Sequence, residues 1–97
     1  MNKKQMYRMQ LASLANCYAE ASKWLSECPF ADAQPYYETA DREMTPMEAK
    51  LVELANKLGD QAIIESIETA VEEGEYGPHD DEASFWRHIS AMVGEQV

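Results

Sequence analysis

The residues in this sequence that are best suited to carry chemistry are carboxylates, which recur at intervals of one helical turn. The acidic surface that the sequence predicts consists of Glu65, Glu68, Glu72, Glu73, Glu75, Asp80, Asp81 and Glu82. From Glu65 to Glu75 the row advances by steps of three, four and three, which places it on one face of a helix. Carboxylates one turn apart lie roughly 5 to 6 Å from each other, close to the spacing of phosphates along a nucleic-acid strand. The row therefore predicts a surface for a basic partner.

Net charge supports a function for these acids. Eighteen Asp and Glu against eight Lys and Arg give a formal charge of −10, which disfavours direct binding to nucleic acid or to an anionic membrane. Residues 1–28 carry four cations and two glutamates, a net of +2, so residues 29–97 carry −12. A solvated face that maintains solubility would explain one acidic helix. The net charge of −12 over residues 29–97 makes the folded chain repel itself more than solubility alone requires.

Metal and cysteine chemistry are not expected. The cluster at residues 79–82, His-Asp-Asp-Glu, with His88 further on, lacks the paired-ligand spacing of zinc sites, and helix capping already explains its aspartates. Cys17 and Cys28 stand eleven residues apart on one predicted helix, roughly 16 Å, which is too far for a disulfide. We expect no bound metal, and two reduced thiols buried in or beside the core.

Catalysis is not expected either. Each of the four glycines falls at the end of a predicted helix, so none is left for a phosphate-binding loop. Acids are so abundant that the spacing of any single pair is uninformative. A bundle of this size is expected to lack the pocket of roughly 300 Å³ or more that acid–base catalysis needs. We therefore expect a non-catalytic protein without a cofactor.

The first element of the chain is predicted to be a long helix with one apolar stripe. Residues 7–28 repeat apolar side chains at alternating steps of four and three, with Asn2 placed to cap the helix and Pro29 to end it. The stripe is widened by Met6, Met9, Cys17 and Trp24. Either the other helices or a second copy of the chain could cover its main members, which are Tyr7, Leu11, Leu14, Tyr18 and Leu25.

The middle of the chain is predicted to be a connector followed by helix. Residues 29–44 contain two prolines and no sustained period, so we expect a connector there, in which a short helix could open at Pro35 and in which Tyr36 and Tyr37 could close over the core. Residues 45–48, Thr-Pro-Met-Glu, have the form of a capping box, which predicts a helix that begins at Pro46. The apolar stripe changes direction at residues 59–60, Gly-Asp. This allows one kinked helix or two, and two are favoured.

The sequence as a whole predicts an all-α protein, a small bundle of three to five helices with a long N-terminal helix, in one domain over residues 1–97. A last helix is predicted after Asp80 or Asp81 and up to Gly94. Its buried residues are expected to be Phe85, Trp86, Ile89, Met92 and Val93. No stretch approaches the roughly 18 apolar residues of a membrane span, and the start lacks the apolar core of a signal peptide. We expect a cytoplasmic protein with no membrane partner.

In size, helicity and a pI near 4.4, the chain resembles the small acidic DNA-mimic proteins of phages and plasmids, the anti-restriction and anti-CRISPR proteins. The resemblance lies in composition, in the row from Glu65 to Glu75, and in the aromatic residues near the acids, which are Tyr36, Tyr37, Tyr76 and Trp86. It implies a non-catalytic inhibitor that presents its acidic surface to the nucleic-acid-binding groove of a host defence nuclease or CRISPR surveillance complex. The partner would be a basic protein in the host cytoplasm.

A second hypothesis starts from the first helix. If its stripe pairs with a symmetry mate, the protein is a homodimer or larger helical oligomer that works as an adaptor or regulator. Polar residues with little charge flank the stripe, among them Gln10, Ser13, Asn16 and Ser22. Packing within one chain would show the same flanks, so the sequence fits both arrangements.

Overall fold

The computed structural model describes residues 2–27 and 34–94, including their side chains except those of residues 25–27, 34–37, 39–41 and 43. Four helices make up this part of the chain: α1 (Lys3–Glu27), α2 (Gln34–Leu58), α3 (Gln61–Glu73) and α4 (Glu82–Gly94). The described residues contain no β-strand, and the predicted all-α bundle with a long N-terminal helix is confirmed. Within the same residues, no helix combines the length and the apolar character that crossing a bilayer requires.

Helix α1 begins as the sequence predicts. Asn2 Oδ1 accepts a hydrogen bond from the backbone N–H of Gln5 at 2.8 Å, and Gln5 Oε1 accepts one from the Asn2 N–H at 3.1 Å. This reciprocal capping box satisfies two N–H groups that no helical carbonyl can reach. The helix ends at Glu27, two residues before Pro29, and Cys28 lies outside the described residues.

The inward side of α1 is narrower than the apolar stripe in its sequence. Leu11, Ala15 and Ala19 are fully buried, whereas the residues expected to widen the stripe face solvent. Met6 and Met9 are each 45% exposed and Trp24 is 57% exposed. The expectation that Cys17 is buried is wrong, because Cys17 is exposed about 100° around the helix from the buried Tyr18.

Helix α2 begins well before the predicted start, and Pro46 lies inside it. A proline there removes one hydrogen bond of the helix and crowds the carbonyl four residues earlier. Contacts with the core on both sides of the proline offset that cost, because Met44 is buried and Glu48 Oε1 accepts a hydrogen bond from the Tyr18 hydroxyl at 2.6 Å. The connector predicted over residues 29–44 is wrong from Gln34 onward, where α2 begins one residue before the possible helix start at Pro35, and residues 29–33 lie outside the described residues. The predicted start at Pro46 is also wrong, since tertiary packing outweighs the local start signal.

The chain breaks between α2 and α3 where the sequence indicates, so two helices cover this region. Gly59 has a φ of +80°, a left-handed conformation that costs glycine little, and its N–H donates to the Ala55 carbonyl. Asp60 Oδ1 then accepts hydrogen bonds from the N–H groups of Ala62 and Ile63, at 3.1 and 3.4 Å. The capping carboxylate fixes the start of α3 and thereby the direction of its faces.

The helices pack in a chain of contacts with α1 between two neighbours. The extensive contacts join α1 to α4, α1 to α2, and α2 to α3. Small residues bring α4 close to α1, and the Ser90 hydroxyl donates a hydrogen bond to the Ala12 carbonyl at 2.6 Å. Trp86, 1% exposed, lies with its ring 5.2 Å from that of Tyr18. The predicted buried face of α4 is confirmed for Phe85, Trp86, Ile89 and Val93, whereas Met92 is half-buried.

Replacing Pro46 tests whether α2 is continuous. In a continuous helix, Pro46→Ala restores a backbone hydrogen bond and removes a steric clash, so we expect the free energy of unfolding to rise by about 2 kcal/mol. Urea denaturation followed by circular dichroism at 222 nm measures the change, with Ala49→Gly as a control that should lose about 1 kcal/mol as an exposed helix-interior site. Unchanged or reduced stability of Pro46→Ala would place the start of the helix at Pro46 instead.

Candidate functional site

The charge of the protein is concentrated in residues 60–82, called here the acidic segment. It holds nine Asp and Glu and neither Lys nor Arg, so the chain has no cationic side chain between Lys57 and Arg87 except the imidazole of His79 when protonated. Three ion pairs lie outside this segment: Lys50 and Lys57 contact Glu53, and Arg87 contacts Glu20. The acids of the segment therefore add to one local negative potential.

Helix α3 divides this segment into a buried face and an acidic face. Ile63, Ile67 and Ala70 point into the core. On the opposite side Glu65 and Glu72 are exposed and Glu68 is half-buried. With 3.6 residues per turn, these three glutamates lie within about 60° of one another around the axis. We call them the outer face of α3, and their role in binding a partner stays a prediction.

The fourth member of the predicted row, Glu75, is not on the helix. Gly74 adopts a left-handed conformation with a φ of 67°, and its N–H donates to the Ala70 carbonyl, which ends α3 after Glu73. The chain then turns, and Glu75 lies at the edge of a groove between α3 and α4. The prediction of a four-glutamate helical row is therefore wrong in its last member.

The three acids that follow have separate roles. Asp81 Oδ1 accepts a hydrogen bond from the backbone N–H of Ser84 at 2.7 Å, so Asp81 caps α4. This bond holds the pKa of Asp81 below its usual range. Asp80 is exposed to solvent. Glu82 turns towards α1 and its Oε2 accepts a hydrogen bond from the Ser22 hydroxyl at 2.9 Å, so it does not extend the acidic surface as predicted.

Glu82 belongs to a polar cluster that joins three helices. The cluster consists of Tyr18 and Ser22 on α1, Glu48 on α2 and Glu82 on α4. Tyr18 is 3% exposed, and its hydroxyl donates to Glu48. Burial raises the pKa of Tyr18 far above its usual value, and the carboxylates of Glu48 and Glu82 raise it further. The hydroxyl therefore stays protonated as a hydrogen-bond donor, and the cluster is structural.

A groove with a volume of about 470 Å³ lies between α3 and α4. Its floor is apolar and is formed by Ile63, Phe85, Ile89 and Met92. Its rim includes the acids Asp60, Glu65 and Glu75. The expectation that the bundle leaves no space of this size is wrong, because α3 packs on α2 and does not close against α4. Glu65 belongs both to the rim and to the outer face of α3.

Aromatic residues line one end of the groove. Tyr76 is half-buried with its ring 5.7 Å from that of Phe85, and burial, followed by the charges of Glu82 and Glu48, raises the pKa of Tyr76. The rings of His79 and His88 approach to 4.8 Å. Tyr76 is a predicted contact aromatic together with Tyr36 and Tyr37, whereas Trp86, which the sequence places near the acids, is buried in the core. The side chains of Tyr36 and Tyr37 lie outside the described residues.

The cluster considered for metal binding is dispersed in the fold. Asp81 caps a helix, Glu82 bonds to Ser22, and His79 packs between Phe85 and His88. Among the residues that the structure describes, no group of three or more His, Cys, Asp or Glu is arranged to hold a metal ion.

Most residues of the face proposed for self-association pack against other helices of the same chain. Leu11 and Tyr18 are buried, and Tyr7 and Leu14 are half-buried against the same core. Tyr7 also lies under the ammonium group of Lys57, 5.7 Å from its ring centroid. The intrachain alternative therefore accounts for this face. The side chain of Leu25 lies outside the described residues.

The sequence predicted the acidic residues but not the groove that they border. Two left-handed glycines, Gly74 and Gly77, turn the chain between α3 and α4. In the sequence they indicated only the end of a helix. Which apolar residues form the floor depends on the separation of α3 from α4, which local patterns do not encode.

Comparison with known proteins finds no family model, no curated protein and no solved structure that matches this chain. The function is therefore inferred from the surface of the chain itself.

Replacing Tyr18 tests the polar cluster and its dependence on pH. Tyr18→Phe leaves the half-buried Glu48 carboxylate without its donor, so we expect a loss of about 1 to 3 kcal/mol at pH 7. Because the folded-state pKa of Tyr18 is raised, its contribution is present below the unfolded pKa and is lost as pH rises above about 10. Wild type should therefore lose stability more steeply than the variant between pH 9 and 11, as urea midpoints would show. If stability falls equally steeply with pH in wild type and variant, this role of Tyr18 is contradicted. Tyr7→Phe is the control.

Proposed function

We propose that this protein is a non-catalytic inhibitor that binds the basic, nucleic-acid-binding surface of another protein through its acidic segment. The target class is a host defence nuclease or a CRISPR surveillance complex, and the site of action is the cytoplasm of the host cell. Binding would then exclude nucleic acid from a channel lined by Lys and Arg. The protein itself would not bind nucleic acid, because like charges repel.

One observation carries the proposal: nine carboxylates occupy residues 60–82 without a Lys or Arg among them. Three of these carboxylates form the outer face of α3, a rigid helix fixed by the Asp60 cap at its start and by Gly74 at its end. A fixed row loses less side-chain and backbone freedom on binding than a disordered acidic tail does. Its one-turn spacing supports mimicry of a phosphate backbone.

The position of α3 in the fold supports the same function. The extensive contact of α3 is with α2, so its acidic side is not needed to hold the bundle together. Structural roles within the acidic segment are assigned to Asp60, Asp81 and Glu82, which cap helices or join α4 to α1. On the outer face, Glu65 accepts a hydrogen bond from the Gln61 side chain at 3.3 Å, an exposed contact within α3 that a neutral glutamine could make equally well.

Charge reversal on α3 tests the proposal. We expect Glu65→Lys/Glu68→Lys/Glu72→Lys to weaken binding to the target by at least about a hundredfold, because attraction becomes repulsion. Wild-type affinity should fall steeply between about 50 and 500 mM salt, because exposed charges are screened. The matched control, Glu20→Lys/Glu38→Lys/Glu53→Lys, changes net charge equally at exposed positions outside the acidic segment and should bind far better than the α3 variant.

The target is identified by pull-down with tagged protein from a bacterial lysate, eluting with excess duplex DNA. The proposal is supported if wild type and the control variant both retain a nucleic-acid-binding protein that duplex DNA displaces. The α3 variant should fail to retain that protein. A partner bound equally well by both triple variants would contradict it, as would one indifferent to DNA.

A second candidate function, self-association as an adaptor or regulator, is favoured by a different observation. Met6, Met9 and Trp24 are 45%, 45% and 57% exposed, with Cys17 exposed on the same outer side of α1. This side is opposite to Leu11, so a dimer through α1 would use the exposed side of the helix and leave its buried side packed within the chain.

Substitution on that face tests the second candidate. If α1 mediates a dimer, Met6→Lys/Met9→Lys should shift the protein to monomer, because charge would replace apolar contact at the interface. Sedimentation equilibrium measures the mass, and Ala49→Lys/Asn56→Lys, which adds the same charge at two exposed positions on α2, is the control. A wild type that sediments as a monomer at about 500 μM would remove self-association from consideration.

A further inference from the structure

We propose that the groove between α3 and α4 receives an apolar anchor side chain from a basic polypeptide segment of the partner. The inference rests on the proposed function and deepens it. It assigns the outer face of α3 to the cations of the segment and the groove to one bulky apolar residue between them.

The shape and lining of the groove support an apolar anchor. Its volume of about 470 Å³ is large enough to receive one bulky side chain from a bound segment. Four apolar side chains form the floor, and Met92 among them is half-buried, so it offers a flexible and polarisable contact surface. An indole or phenyl ring that leaves water for this floor gains the apolar burial that a purely ionic contact lacks.

The charge around the groove selects a cationic occupant. The acids of its rim are Asp60, Glu65 and Glu75, and the described residues that line it include neither Lys nor Arg. A neutral or anionic apolar segment would gain nothing from this rim, whereas Arg or Lys next to the anchor would face carboxylates. Charge complementarity therefore favours a basic segment.

The continuity of the groove with α3 favours a polypeptide over a small amine. Glu65 lies both on the groove rim and on the outer face of α3, from which Glu68 and Glu72 continue along the helix. An occupant that uses the whole surface must extend beyond the groove by about two helical turns, roughly 10 Å. A segment with several basic residues on one side of its anchor has that length.

The experiment compares two fluorescein-labelled peptides that have the same Lys and Arg residues and differ in one central residue, Trp or Ala. We expect wild type to bind the Trp peptide about tenfold to a hundredfold more tightly by fluorescence anisotropy, the gain from burying one large side chain. Ser66→Phe, which adds bulk at an exposed position lining the groove, should abolish that preference. Ser13→Phe, at an exposed position on α1, should preserve it.

Methyl resonances locate the anchor independently of these variants. With methionine methyl groups labelled by ¹³C, the Trp peptide should shift the Met92 signal, whereas Met6 and Met9 on the outer side of α1 should stay unchanged. A Met92 signal that the Trp peptide leaves unmoved would overturn the proposal.

The outcomes separate this inference from the proposed function. If both peptides bind with equal affinity and equal loss in high salt, the anchor proposal is overturned while the acidic function stands. If neither peptide binds at low salt, both fail. Tryptamine serves as the small-amine probe. If tryptamine binds as tightly as the Trp peptide, the choice of a polypeptide occupant is overturned.

Discussion

The constraint on which this fold depends is that one helix has to be covered from two sides. The inner face of α1 is shared by α2 and α4, and small residues such as Ala15 and Ala19, both fully buried, allow close approach there. Large side chains then fill the remaining volume, with Trp86 packed against Tyr18. Because α2 and α4 both pack on α1, the extensive contact that α3 makes is with α2. The groove and the exposed acidic face of α3 both follow from that arrangement.

The polar cluster around Tyr18 shows how the bundle is held in register as well as packed. Tyr18 donates to Glu48 of α2, and Ser22 donates to Glu82 of α4. Apolar contacts alone tolerate sliding of one helix along another, whereas these short hydrogen bonds require particular residues to be opposite each other. Because of these hydrogen bonds, Glu48 does not act as the predicted capping residue, and Glu82 does not extend the acidic surface. Two acids that look alike in sequence to their neighbours thus have structural functions.

The remaining acids impose a cost that the fold does not recover. Nine carboxylates within residues 60–82 repel one another. In the described part of the chain, the hydrogen bonds of Asp60, Asp81 and Glu82 cap helices or join α4 to α1 and so offset part of this repulsion. In the proposed complex, the repulsion among the glutamates on the outer face of α3 would be relieved when a basic partner neutralises them. A negative surface beside an apolar groove supports binding in which charge speeds association and sets the choice of partner, while apolar burial slows dissociation.

The sequence by itself determined the helical class, the Asn2 cap, the Gly59–Asp60 break and the buried side of α4. Each depends on local hydrogen bonding or on a periodicity that a single helix expresses. The outward placement of Glu65, Glu68 and Glu72 followed in the same way. The departure of Glu75 from the row also has a local cause, the left-handed Gly74 that ends α3. Tertiary structure alone decided that helix continues through Pro46, that Cys17 is exposed, and that a groove separates α3 from α4. These features depend on which helices meet and how closely, and therefore on contacts between residues far apart in the chain.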